Sequence, residues 1–473
     1  MAAVSAPRGT DQAARAELDD SSVGITPVPD ELRRLRAFDI GVLWGDLAIG
    51  VLVLAAGALL VTPTDAGGLG LAFGPALAAI AIGSVAGSLL LALVAAAGYE
   101  RAVPTMVLLR PVLGRYGSYG ASAVNVLQLI GWTGFELWAM ALFANRVSDQ
   151  VFGFTAFGLW LAVMAVICTG LALVGPVRVV RVWLEKVGAW VVLAACGYLT
   201  VYLIANADDL FRATTGARPF GLAVDLVIAQ PVSWLPLVAD YNRFATGRRQ
   251  SFTGTLTGYA IGNAWFYALG ALLVLSAGLV DSSPAGIAAG ILGLSAGAVV
   301  GTTLLLALLA GETDEAFADI YSSAVSIQNV FPRANHRLLV VGIAGAGTAL
   351  AAVVTMSDYE NFLFLLGSVF VPLFGVLLGH WVAGGADERE VRFRPTLMLV
   401  WVAGFMTYQW ALPPEVFFPA WWVRLVDRIP GALEHFSLGA SLPAFVVAFV
   451  GAWAVTRVRA SHETSPRGAG PTP

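Results

Sequence analysis

Apolar runs long enough to cross a bilayer recur along the chain, separated by Gly, Pro or charged breaks. They fall at about 38–62, 71–98, 118–147, 157–176, 183–206, 221–244, 255–280, 297–330, 338–356, 361–383, 395–412 and 437–456. The pattern predicts twelve spanning helices, with a short external helix over 285–294 ahead of the eighth.

Polar residues inside these runs are few, and their spacing carries information. The third run reads NVLQLIGWTGFELWAMALF from Asn125 to Phe143 and holds Asn125, Gln128, Trp132 and Glu136. At 100° per residue these four share an arc of about 80°, one polar and aromatic stripe opposed by Leu, Ile, Val and Ala. A carboxylate facing lipid near the middle of such a helix costs about 2.5 to 3.5 kcal/mol, so Glu136 is expected to face protein or a cavity. The stripe is the first candidate for a substrate site.

The eighth run is more heavily charged, with Glu312, Thr313, Asp314, Glu315 and Asp319 in GETDEAFADIYSSAVS. Glu312, Glu315, Asp319, Ser322, Ser323 and Ser326 share an arc of about 100°, and Asp314 points elsewhere. Four acids facing lipid would cost on the order of 10 kcal/mol, so they must be solvated, paired, protonated or bound to a cation. No Lys or Arg within the run pairs with them.

Two runs are interrupted. The first carries Trp44, Gly45 and Asp46 early, and the sixth carries Gln230, Pro231, Ser233, Trp234 and Pro236. Proline removes a backbone donor, and a broken helix is tolerated in a membrane only where it lines a cavity. Five spans per half would invert the second half relative to the first, making the third and eighth runs symmetry mates.

Composition agrees with a polytopic membrane protein: 58% hydrophobic, 12% charged, mean hydropathy +0.77 over 473 residues. The net charge of −4 gives no indication of a nucleic-acid partner. With the amino terminus inside, 22 basic residues fall on cytoplasmic flanks and tails and 5 outside, so both termini are expected in the cytoplasm. Residues 1–36 and 458–473 read as disordered tails, dispensable for the fold. Cys168 and Cys196 lie singly in apolar runs, and the four histidines are scattered, so neither a disulfide framework nor a metal or nucleophile constellation is indicated. An enzyme is therefore not expected. Asp240 in ADYNR is read as a structural ion pair with Arg243, Asp225 as solvated near a helix end, and Asp46 as either a cap at the break or an ion ligand. Gly83 and Gly87 are read as a close helix contact.

Five stretches together carry a family likeness: LGRYGSYG, NVLQLIGWTGFELWAM, SWLPLVADYNRF, ETDEAFADIYSS and LLGSVFVPLFGVLL. With them the chain resembles the nucleobase/cation symporter family one, permeases for cytosine, purines, allantoin and hydantoins. The likeness is greatest to the bacterial branch assigned to hydroxymethylpyrimidine transport. The resemblance implies an all-α fold with a five-plus-five inverted repeat over 37–383 and two further helices over 384–457, working by alternating access in the plasma membrane. It implies that Trp132 stacks on a flat heterocycle and Glu136 hydrogen-bonds its edge, with Asp319 reaching the substrate and Trp234 closing over the ring. Gln128, Gln230 and Ser233 complete the expected substrate set. A coupling ion, sodium or proton, is expected at Gly45, Ala48, Thr313 and Asp314, and no other cofactor. Glu136 and Asp319 depart from the Gln and Asn frequent in relatives. An ionised carboxylate only accepts hydrogen bonds, so the departure favours a donor-rich ligand such as an aminopyrimidine, or marks a carboxyl that carries the coupled proton. An amino-acid or other heterocycle carrier of the same fold is the alternative.

Overall fold

The computed structural model describes residues 25–174, 188–207, 210, 216–279, 281–294, 296–385, 391–412, 421, 424, 428 and 439–464. Each of the twelve apolar runs contains a helix. In chain order these are α1 (Ala37–Asp46), α2 (Val51–Val61), α3 (Phe73–Arg101), α4 (Arg115–Phe152), α5 (Phe157–Val174), α6 (Gly188–Ala205), α7 (Phe220–Ser233), α8 (Val238–Asn242), α9 (Arg248–Ala277), α10 (Pro284–Leu292), α11 (Ala298–Val330), α12 (His336–Ala351), α13 (Met356–Val382), α14 (Pro395–Ala411) and α15 (Ser441–Thr464). The first run is α1 and α2, bent by 64°. The sixth is α7 and α8, and the extra helix before the eighth run is α10.

Two packed groups face each other. In one, α9 lies along α1, α2 and α3, and α3 packs on α7. Glycines let backbones approach there, as membrane helices require in the absence of a hydrophobic driving force. Gly41 and Gly45 on α1 meet Gly254, Gly258 and Gly262 on α9, and a Cβ on Gly258 would overlap the Gly41 carbonyl. Gly83 and Gly87 abut Val227 and Pro231 of α7, the close contact their spacing suggested. In the other group, α4 packs along α11, and α5 and α12 pack on both. Asn125 Nδ2 donates to Ser326 Oγ (2.8 Å), and Asn329 Nδ2 to Ser122 Oγ (2.9 Å), fixing the register of α4 on α11.

Several boundaries differ from the sequence reading for local reasons. Residues 352–356 close the ninth run in the apolar count, but Thr355 caps α13, its side chain and backbone paired with Asp358. The tail boundaries shift as well. Residues 1–24 lie outside the described residues, whereas Val28 is buried, its N–H donating to Ala102 O (2.9 Å), and Leu35 bridges to Ala245. Packing thus begins ten residues or so earlier than the apolar run, because backbone pairing needs no apolar side chain. At the other end α15 runs to Thr464, while 465–473, like 183–187 of the fifth run, lie outside the described residues.

Asp225 is not solvated. It is 1% exposed and accepts from the backbone N–H groups of Ala440 and Ser441 (2.6 and 3.0 Å), capping α15 from α7. Gly439 makes this possible: its φ is +78°, and a Cβ there would lie 2.6 Å from the carboxylate. A carboxylate on buried amides at a helix start stabilises by charge and by hydrogen bonding. Asp225→Ala is expected to cost about 2 kcal/mol, and Asp225→Asn about half of that. The check is the apparent melting temperature in detergent; an Ala variant as stable as the parent would remove this role. Asp240 takes the Thr105 N–H (2.9 Å) beside Arg243, whose Nε donates to the Asp240 carbonyl (3.1 Å), so it ties α8 to the connection between α3 and α4.

Candidate functional site

The two groups face each other across a narrow pocket, closed down in this conformation to little more than the room of a water molecule. From α4 come Trp132 and Glu136, and from α11 Glu315 and Asp319. Gln230 and Ser233 come from the end of α7, and Trp234 from the break that follows. Six expected substrate residues thus meet on one cavity, contributed by three segments distant in sequence.

Each wall is held by chemistry that the breaks make available. Pro236 has no N–H and would clash with the carbonyl four residues back, so α7 cannot continue through it, and a turn over 234–237 separates α7 from α8. The freed Ser233 carbonyl accepts from Gln128 Nε2 (2.8 Å), which also donates to Asn125 Oδ1 (3.2 Å). Gln128 therefore lies behind the pocket as a brace between α4 and the break, and is not among the lining residues. The Trp132 ring is set edge-on against Phe362 (5.4 Å) and Tyr359 (6.0 Å) of α13. Tyr359 OH in turn donates to Leu52 O (3.0 Å), which links α13 to α2. Trp234 packs edge-on to Trp44 (5.9 Å), whose Nε1 is held by Asn242 Oδ1 (2.8 Å).

The acids are arranged in contacts rather than scattered. Glu136 and Asp319 face each other carboxyl to carboxyl across the α4–α11 interface. Two carboxyls so placed can bond only by sharing a proton, since both are otherwise acceptors. Asp46 at the end of α1 makes the same kind of contact with Asp314. Glu312 is fully buried and accepts the N–H groups of Val51 and Leu52, so it occupies the free amides at the start of α2. Gly50 precedes them in extended conformation, and a Cβ there would meet Glu315 Oε1 at 2.6 Å and Glu312 Oε2 at 2.9 Å. The break in the first run is thus a seat for two carboxyls of α11.

The residues expected around a coupling ion are placed differently from one another. Asp314 meets Asp46, while Thr313 Oγ1 donates back to Ala310 O (2.7 Å). The Gly45 carbonyl and the Ala48 side chain pack against Gly262 of α9. Glu315 is the lining residue absent from the expected substrate set. Its signal was present, since it shares the helical arc of Glu312 and Asp319.

Among the wall's polar atoms, Glu136 Oε2, Gln230 Oε1, Glu315 Oε1 and Trp132 Nε1 are buried and have no partner among the described residues. Three accept and one donates, so the wall is complementary to a small planar molecule with more donors than acceptors. Two indoles supply faces or edges for its ring.

Known proteins agree with this picture. Residues 27–394 match the family described as permeases for cytosine/purines, uracil, thiamine and allantoin. Over 256 residues the chain is 25% identical to the "Putative purine-cytosine permease YxlA" of Bacillus subtilis (strain 168); the alignment covers 53% of each chain, so about half the length of that relative is spanned. Mhp1, a nucleobase-cation-symport-1 family transporter solved in a closed conformation with bromovinylhydantoin bound, has the same fold. Its TM-score is 0.72 at 18% identity, covering 94% of this chain and 96% of that one. A Na+-coupled sialic acid symporter in a substrate-bound outward-open state gives 0.61 at 12% identity, covering 91% and 90%. The family match takes in α4, α7 and α11, the helices that build the pocket, and the chain belongs to the nucleobase-cation-symport-1 family of permeases.

Proposed function

We propose that the protein is a cation-coupled symporter that imports a pyrimidine-like heterocycle, such as hydroxymethylpyrimidine or cytosine, by alternating access. The carrying observation is the convergence of Trp132, Glu136, Gln230, Ser233, Trp234, Glu315 and Asp319 on one buried pocket between two helix groups. In this reading Trp132 and Trp234 sandwich the ring, Glu136 or Asp319 receives an exocyclic amine, and relative motion of the two groups exposes the pocket to either side. The protein lies in the plasma membrane with both termini cytoplasmic, as the bias of its arginines favours. The coupling ion, sodium or proton, is taken to use Gly45, Ala48, Thr313 and Asp314, of which Asp314 is the one that meets the first break, at Asp46. Replacing sodium by choline at fixed pH, against adding a protonophore, identifies which gradient drives uptake.

The amino-acid alternative is disfavoured by one contact. A carrier of that kind offers half-helix amides to the substrate carboxylate. Here the amides at the start of α2 are held by Glu312.

The test is uptake of labelled hydroxymethylpyrimidine into expressing cells, with excess unlabelled cytosine as competitor. Accumulation against the gradient that resists cytosine supports the thiamine-precursor pyrimidine; blockade by cytosine supports a broader nucleobase range. Absence of accumulation for both compounds overturns the pyrimidine assignment. Glu136→Gln keeps an acceptor but loses the charge, so uptake efficiency is expected to fall by about tenfold, the difference between a charged and a neutral hydrogen bond. An unchanged affinity in that variant would remove Glu136 from the contact.

A further inference from the structure

We infer that the pocket takes its heterocycle as an organic cation, whose N–H-bearing positive edge faces Glu136, Glu315 and Asp319 while its ring faces Trp132 and Trp234. The inference rests on the heterocycle reading and adds the charge of the ligand.

Three carboxyl groups line the cavity, and none of the seven lining residues is basic. Glu136 and Asp319 face each other carboxyl to carboxyl, and even with one proton shared between them such a pair carries one negative charge. Glu315 has no such partner: its Oε1 is buried without one, and its neighbour Glu312 is engaged by the α2 amides. Closing this wall over a neutral molecule strips water from anionic groups and returns no counter-charge, which is the unfavourable half of burying an ion. A cation supplies the counter-charge from within the ligand.

The hydrogen-bond inventory points the same way, independently of charge. Buried and unpartnered on the wall are the acceptors Glu136 Oε2, Gln230 Oε1 and Glu315 Oε1, against the single donor Trp132 Nε1. A neutral nucleobase alternates N–H groups with carbonyl oxygens, and its carbonyls would face these acceptors. The edge of an aminopyrimidinium ion carries donors side by side, and such an edge matches a carboxylate bidentately. Indole faces attract a cation more strongly than a neutral ring, most of all when both are desolvated.

The test uses two ligands of the same outline that differ in charge. The 1,2-dimethyl-4-aminopyrimidinium ion is a permanent cation with the amino donors but no ring N–H, so it isolates the effect of charge; 1-methylcytosine keeps the N-methyl and amino groups but is neutral and replaces the 2-methyl with a carbonyl. Binding of each to the purified full chain in detergent, without a membrane potential, is read by calorimetry, with 4-amino-2-methylpyrimidine as a third ligand. The cation is expected to bind about tenfold more tightly than 1-methylcytosine. Glu315→Gln and, separately, Asp319→Asn are expected to shrink that ratio towards one, mainly by weakening the cation. If 1-methylcytosine binds as well as the cation or better, the ligand is not taken as a cation, and the heterocycle reading stands. If none of the three binds, the heterocycle reading falls and this inference with it.

Discussion

Trp132→Ala is expected to abolish concentrative uptake while leaving the protein in the membrane. The indole lies at the centre of α4's polar stripe, is held edge-on by Phe362 and Tyr359, and lines the pocket with its Nε1 unpartnered. Stacking of a base on an aromatic side chain contributes about 1–3 kcal/mol, so removing it costs roughly five- to 150-fold in affinity. Truncation also leaves a cavity against Phe362 and Tyr359, and buried Trp→Ala changes cost about 3–5 kcal/mol of stability. These two losses must be separated. Trp132→Phe keeps a π-face and most of the volume, so it is expected to recover uptake to within a few-fold, whereas Trp132→Leu recovers packing alone. Uptake per folded molecule, normalised by fluorescence-detected size exclusion, distinguishes them. Equal activity of the Phe and Leu variants would mean that Trp132 only packs.

The second large effect falls on Glu312, which touches no part of the pocket. Its carboxyl takes the Val51 N–H and stands at that of Leu52, two of the amides left open at the start of α2. Replacing it by Leu leaves two buried donors unpaired at about 1–3 kcal/mol each and removes an anion from a helix amino terminus. Glu312→Leu is therefore expected to lose about 3–5 kcal/mol and to give little folded protein. Glu312→Gln keeps an acceptor and is expected to fold, with a melting temperature between the two. The order Glu, Gln, Leu in thermal stability carries the argument. If Leu proved as stable as Gln, the amides of α2 would have another partner and the cap would be dismissed.

How much of this was legible in the chain depended on what each feature needs. Trp132 and Glu136 were visible because one helix places them, and a charged residue on a spanning helix has few places to point. Trp234 and Ser233 were visible through the prolines around them, which break a helix wherever they stand. Gln128 shares the stripe with Trp132, yet a helical wheel gives direction and not depth. Whether it touches ligand or a neighbouring carbonyl depends on where the α7 break docks. Asp225 near the end of a run looks like any solvated acid; its partners lie more than 200 residues away on the last helix. Glu315 sat in plain view among four acids, but only the packing of α11 against Gly50 and α4 selects which acids face the cavity.

The sequence by itself determined the class, the twelve runs, the two breaks and the stripe on α4. These follow from local rules: spanning length, proline geometry and the cost of charge in hydrocarbon. Only the tertiary structure decided which acids face each other, Glu136 with Asp319 and Asp46 with Asp314, and that Glu312 caps α2. The reason is physical. A buried carboxyl is defined by the partners that satisfy it, and here these come from segments far apart along the chain, brought within hydrogen-bonding distance by helix packing alone.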